Sequence, residues 1–73
     1  MSKPKIAGPD DGLFKPGTKL RHKKTGGFYK VLLLANVEAS LEPAYVYESM
    51  QSHDLWIRPR AEMEDGRFEI ITE

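Results

Sequence analysis

The sequence predicts a mainly β domain, in which five short strands form a small barrel or a strongly bent antiparallel sheet behind a flexible N-terminal leader. Three observations predict it. Apolar and polar residues alternate with period two in short runs, as at Thr18 to Lys23 and Tyr45 to Met50. The runs are rich in Tyr, Val, Ile and Phe, which fit a pleated, half-buried surface. Glycine and proline pairs or Asp-Gly separate them at hairpin spacing.

Residues 1–14 form the leader: MSKPKIAGPDDG has two prolines, two glycines and no apolar period, and Leu13 and Phe14 dock where order begins. The folded domain then spans 15–73. Pro16-Gly17 is a turn, after which Lys19, Arg21 and Lys23 point one way and Leu20 and His22 the other. Gly26-Gly27 supplies the positive φ that a tight hairpin demands. Phe28 to Val37 is a long second strand with Tyr29, Val31, Leu33, Ala35 and Val37 on one face. A polar connection, 38–43, leads to the third strand, Tyr45 to Met50, and the loop Gln51 to Asp54 to the fourth, Leu55 to Arg58, stopped by Pro59. Residues 60–66 make one helical turn before Asp65-Gly66 reverses the chain into a fifth strand, Arg67 to Thr72, with Phe68 and Ile70 on one side. Five such strands in so short a chain suggest an SH3-like barrel, with an OB-like barrel or an open sheet as the alternative, because closure removes exposed edges.

Composition sets outer bounds. At 73 residues the chain holds one domain, which buries only roughly 60% of the surface its unfolded form exposes. With 40% hydrophobic and 30% charged residues it reads as folded rather than disordered. The absence of cysteine excludes disulfide staples, thiolate metal sites and cysteine nucleophiles, and favours a reducing, cytoplasmic compartment. The longest apolar run, Val31 to Ala35, is far short of a membrane span, and Lys3 and Lys5 precede no apolar segment of signal-peptide type. Net charge is zero, yet 1–37 carries eight bases against Asp10 and Asp11, whereas 38–73 carries nine acids against Arg58, Arg60 and Arg67. The split suits a nucleic-acid-facing half or, more simply, two halves whose charges pair or solvate across strands.

Arg21-His22-Lys23-Lys24, Gly27-Phe28-Tyr29-Lys30-Val31, Val46-Tyr47, Leu55-Trp56-Ile57-Arg58-Pro59 and Asp65-Gly66-Arg67-Phe68-Glu69 follow one another in order. Over roughly residues 17–71 this pattern resembles the short bacterial and phage-borne proteins grouped as domain of unknown function 1653. Arg60-Ala61-Glu62-Met63, where an aliphatic and an aromatic residue are more usual, and the polar loop 49–54 depart from it. The resemblance implies a bacterial or prophage origin and brings no activity with it.

No residue set predicts catalysis, and the chain is expected not to be an enzyme. His22 and His53 have no carboxylate at helical ligand spacing, so no metal and no cofactor is expected. His22 shares the face of Leu20 and reads as an inner or rim histidine; His53 sits in a turn beside Asp54. Ser40, Ser49 and Ser52 lie in no nucleophile elbow.

Binding is the remaining reading. If Met50 pairs with Leu55, Tyr47 lies opposite Arg58 and Ser49 opposite Trp56. Tyr45, Tyr47, Trp56 and Arg58 then share one face, and Val46, Met50, Leu55 and Ile57 the other. With the aliphatic side as core, the aromatic side is a ligand platform, because flat π faces bury large areas at small entropic cost. With the aromatic side as core, Trp56 and Tyr47 are structural and Arg58 snorkels or stacks on the indole. The candidate ligand-binding residues are Arg21, His22, Tyr45, Tyr47, Trp56 and Arg58, for an unidentified protein or peptide partner. Two alternatives stand beside that: weak nucleic-acid binding through Lys19, Arg21, Lys23 and Lys24, and homo-oligomerisation through a sheet edge.

Overall fold

A computed structural model describes residues 6–72. Among these residues, five strands form one antiparallel sheet: β1 (Lys19–His22), β2 (Phe28–Asn36), β3 (Pro43–Ser49), β4 (Leu55–Pro59) and β5 (Phe68–Ile70), with a single helical turn, α1 (Arg60–Met63), between the last two. The order across the sheet is β4-β3-β2-β1-β5, so among the described residues β4 and β5 are its edges and the sheet is not closed. Of the two expected forms, the strongly bent sheet is the one observed.

Ring contacts report the bend. Three strand spacings, about 14 Å in a flat sheet, separate β3 from β5. Yet the rings of Tyr47 on β3 and Phe68 on β5 lie 6.0 Å apart, and Tyr29 on β2 touches both at 5.4 and 5.9 Å. The concave side collects the core: Phe14, Leu20, Val31, Leu34, Tyr45, Tyr47, Met63 and Phe68. Met63 reaches it from α1, which fills one end of the bend. Around α1, the Glu62 carboxylate accepts from Arg58 of β4 at 3.0 Å and lies 3.7 Å from Arg67, just before β5. These exposed ion pairs tie the two edges loosely rather than close the ladder.

β2 departs from simple alternation. Val31 pairs with Tyr47 but Leu33 pairs with Val46, so a bulge absorbs Leu32. The face switches there: Val31 and Leu34 are buried, while Leu33, expected beside Val31, is 37% exposed and Val37 lies outside. An unbroken period of two cannot foresee an extra residue in one strand.

Of the stretch expected as a leader, residues 1–5 lie outside the described residues. From Ala7 onward the chain packs along the sheet. The Asn36 side chain exchanges hydrogen bonds with the Ala7 backbone, the Leu34 amide donates to the Pro9 carbonyl, and Phe14 is buried, as expected of it, whereas Leu13 stays exposed. Gly12 passes so close to Tyr45 that a Cβ there would stand 2.2 Å from its hydroxyl oxygen. Any larger residue there has to displace the buried Tyr45 ring.

Candidate functional site

β3 and β4 pair as Tyr45 with Arg58, Tyr47 with Trp56 and Glu48 with Leu55. The pairing differs by two residues from the expected Met50–Leu55 register, and Ser49 is the reason. Its hydroxyl accepts from the Gln51 and Ser52 amides, its own amide donates to the Asp54 carbonyl, and His53 takes a left-handed φ of 63°. The strand therefore stops one residue early on β3. An even shift leaves the faces unchanged, so Tyr45, Tyr47, Trp56 and Arg58 do share one side.

That side faces the core, and the aliphatic side faces out. Tyr45 is 0% and Tyr47 5% exposed, whereas Met50, Leu55 and Ile57 are exposed, with Ile57 at 70%. The expected solvent platform of two tyrosines is thus corrected: β3 lies inside the sheet and its aromatics fill the bend. Trp56 sits on the same side but on the edge strand, beyond the reach of the bend, and is 50% exposed.

Tyr45 belongs to a partly buried linkage. Its hydroxyl donates to Glu64 and accepts from the Phe14 amide at 3.2 Å; Glu64 also accepts from the Leu13 amide and from Arg60, each at 3.1 Å. Burial pushes the Tyr45 hydroxyl pKa up, and the Glu64 hydrogen bond adds to it. Burial also acts to raise the Glu64 carboxyl, but the hydrogen bonds from Tyr45 and Leu13 and the Arg60 charge outweigh it and hold the pKa below the ordinary 4.5. The linkage joins the N-terminal segment, β3 and α1. Its role is architectural.

Arg21 and His22 are placed elsewhere. Arg21 donates to Glu69 of β5 at 2.7 Å. The His22 ring stands edge-on to Phe68 at 4.9 Å, and its Nδ1 accepts from the Thr25 amide at 3.2 Å, which leaves the neutral ring's proton on Nε2. Both are explained by the β1–β2 turn and the β1–β5 ladder. His53, the other histidine, contacts Glu48 at 3.1 Å on the exposed loop. Among the described residues, no group of three His, Asp or Glu is placed to hold a metal ion.

What remains together is Tyr47, Trp56 and Arg58, joined by Tyr29, which sequence reasoning missed. They line a shallow depression of about 200 Å³. The Arg58 Nε–H donates to the Tyr47 hydroxyl at 3.4 Å and Nη1–H to Glu62 at 3.0 Å. The Tyr47 bond, supported by the Glu62 charge, holds the guanidinium pKa above its already high ordinary value, and the two hydrogen bonds orient the guanidinium. The only early sign of Tyr29 was its place on the Val31 face; its meeting with Tyr47 depends on the β2–β3 register and the bend. Glu62 had no sign at all.

Two larger depressions lack this character. One of about 420 Å³ is lined by Ala7, Asp11, Asn36, Pro43 and Arg60, where Asp11, Asn36 and Arg60 already bond to Gly8, Ala7 and Glu64. Another of about 370 Å³ joins Phe28, Met50 and Ile71 between Lys19 and Gln51, an open apolar hollow on the other side of the sheet.

No family model, curated protein or solved structure matches the chain, so the resemblance to domain of unknown function 1653 rests on its own residues. No helix among the described residues is long and apolar enough to cross a membrane.

Proposed function

We propose that this chain is a non-enzymatic binding domain that docks an extended protein or peptide segment against Tyr29, Tyr47, Trp56 and Arg58. The single observation that carries the reading is a half-exposed tryptophan beside an arginine that two neighbours hold in place. Tryptophan and arginine dominate binding hot spots because each buries much surface, and a pre-oriented guanidinium loses little entropy on pairing. A ligand carboxylate or phosphate is the natural counterpart of Arg58. The cysteine-free composition supports a reducing, cytoplasmic setting, and the resemblance noted above supports a bacterial or prophage source.

The nucleic-acid reading has less support. Arg21 of the basic strand is already paired with Glu69, and Lys19 and Arg21 alternate to the face opposite Tyr29 of the aromatic depression, whose cross-strand partner is Leu20. Trp56 is the one tryptophan, so its fluorescence reports directly on the site. Titration with acidic extended peptides is expected to shift its emission, with little change between low and moderate salt. A response confined to single-stranded oligonucleotides, falling steeply with salt, overturns the reading in favour of nucleic acid.

A further inference from the structure

Among the described residues, β4 is an open edge with an unusual sequence. Leu55, Trp56 and Ile57 are all exposed although they are consecutive, so both faces of the strand are apolar where the sheet ends. Edge strands ordinarily carry charge or bulges that discourage pairing. Asp54 and Arg58 bracket this triplet, and the order Asp-Leu-Trp-Ile-Arg places an acid and a base at equal distances from Trp56.

The ladder fixes which backbone groups the edge presents. The Ser49 amide bonds to the Asp54 carbonyl at 2.9 Å, so Ser49/Asp54, Tyr47/Trp56 and Tyr45/Arg58 are the hydrogen-bonded pairs of β3 and β4. The N–H and C=O groups of Leu55 and Ile57 therefore point away from β3. Pro59, which has no N–H to offer, falls in the same phase, where its lack costs the β3 ladder nothing.

We propose that β4 pairs antiparallel with β4 of a second copy about a two-fold axis at Trp56. In that register Leu55 exchanges both hydrogen bonds with Ile57 of the second copy, and Ile57 with its Leu55, so the four outward N–H and C=O groups on each chain are all used. Asp54 meets Arg58 of the second copy at each end, and the two tryptophans lie opposite at the non-bonded position, where side chains approach most closely. Moving the register by two residues along the strand breaks both charge pairs and sets Leu55 or Ile57 against a residue outside the outward-facing pair. The occupant is a second copy rather than an arbitrary strand because this segment complements itself in hydrogen bonding, apolar contact and charge together. The short β5 edge, three residues, has no such arrangement. A five-residue contact is small beside stable interfaces, so the dimer is a weak one that forms as concentration rises. This assembly is argued without the peptide reading, although it engages Trp56 and Arg58 of the same depression.

Sedimentation equilibrium of the full chain from micromolar to millimolar concentration is expected to show the mass rising from 8.3 kDa toward twice that value. Asp54→Arg alone places two bases on the strand and Arg58→Asp alone places two acids, so each variant is expected to self-associate at least about tenfold more weakly. Mixed in equal amounts, the two are expected to associate with each other, since each acid then meets a base. Leu55→Lys, at an exposed position, provides a third variant expected to stay monomeric if Arg58→Asp fails to fold by circular dichroism. A wild-type chain monomeric throughout overturns the proposal, as do single variants that associate like wild type or complementary variants that ignore each other. Retained peptide-induced fluorescence change in monomeric Asp54→Arg would show that the two proposals stand or fall separately.

Discussion

β3 and β4 are neighbours in one ladder with the same alternation, yet they live in different environments. On β3 the inward aromatics Tyr45 and Tyr47 are sealed under the bend, while on β4 Leu55, Trp56 and Ile57 all reach solvent. Composition does not separate them, since both runs hold aromatic and aliphatic residues in alternation. Position in the sheet does. β3 has a strand on each side, whereas β4 has β3 on one side only, and α1 packs against both. An interior strand gains burial from the curvature of its neighbours; an edge strand keeps exposed what a partner can use.

The comparison can be broken most forcefully at its buried end. Tyr45→Ala removes a ring that is fully enclosed and abandons its hydrogen bonds to Glu64 and Phe14, so a loss of about 3–5 kcal/mol is expected from denaturant unfolding, enough to leave so small a domain mostly unfolded.

Glu64→Gln tests the polar linkage behind that ring. Replacing a charge-assisted acceptor with a neutral one is expected to cost about 1–2 kcal/mol at neutral pH. The folded-state pKa of Glu64 lies below 4.5, so its contribution is fully present above that value and is lost as pH falls through the folded pKa. Thermal melts from pH 6 to pH 3, a span chosen to bracket the carboxylate range, should decline less steeply for the variant than for wild type.

At the exposed end, Trp56→Ala is expected to cost no more than about 1 kcal/mol of stability while abolishing the peptide response followed through a dye-labelled peptide. A loss comparable to that of Tyr45→Ala would place the indole in the core and erase the contrast between the strands. Before any variant is made, acrylamide should quench Trp56 readily in the wild type at low concentration.

Much of this fold is legible in the sequence because local chemistry encodes it. Gly26 adopts the expected positive φ of 77°, Pro59 ends β4, and one helical turn follows before the chain reverses into β5. The site is legible only in part. The shared face of Tyr45, Tyr47, Trp56 and Arg58 follows from counting by two, and survives even a register error of two residues. Which way that face points does not follow, because inward and outward depend on the side toward which the whole sheet curls. Leu33 shows the same limit within one strand: the bulge at Leu32 turns it outward, and nothing in Leu32-Leu33-Leu34 marks which leucine is the extra one. The halves' charge asymmetry likewise resolves only in space. Arg21 crosses to Glu69, while Arg58, Arg60 and Arg67 pair with acids of their own half.

By itself, the sequence determined the number and approximate limits of the strands, the turns between them and the partition of β3 and β4 into two faces, since each depends on dihedral preference and alternation among near neighbours. Only the tertiary structure decided that Tyr45 and Tyr47 are core, that Trp56 stays half in solvent, that Tyr29 lines its depression and that Glu62 bonds to Arg58. Those outcomes depend on the bend and on the order of strands across the sheet, which arise from contacts between residues far apart in the chain.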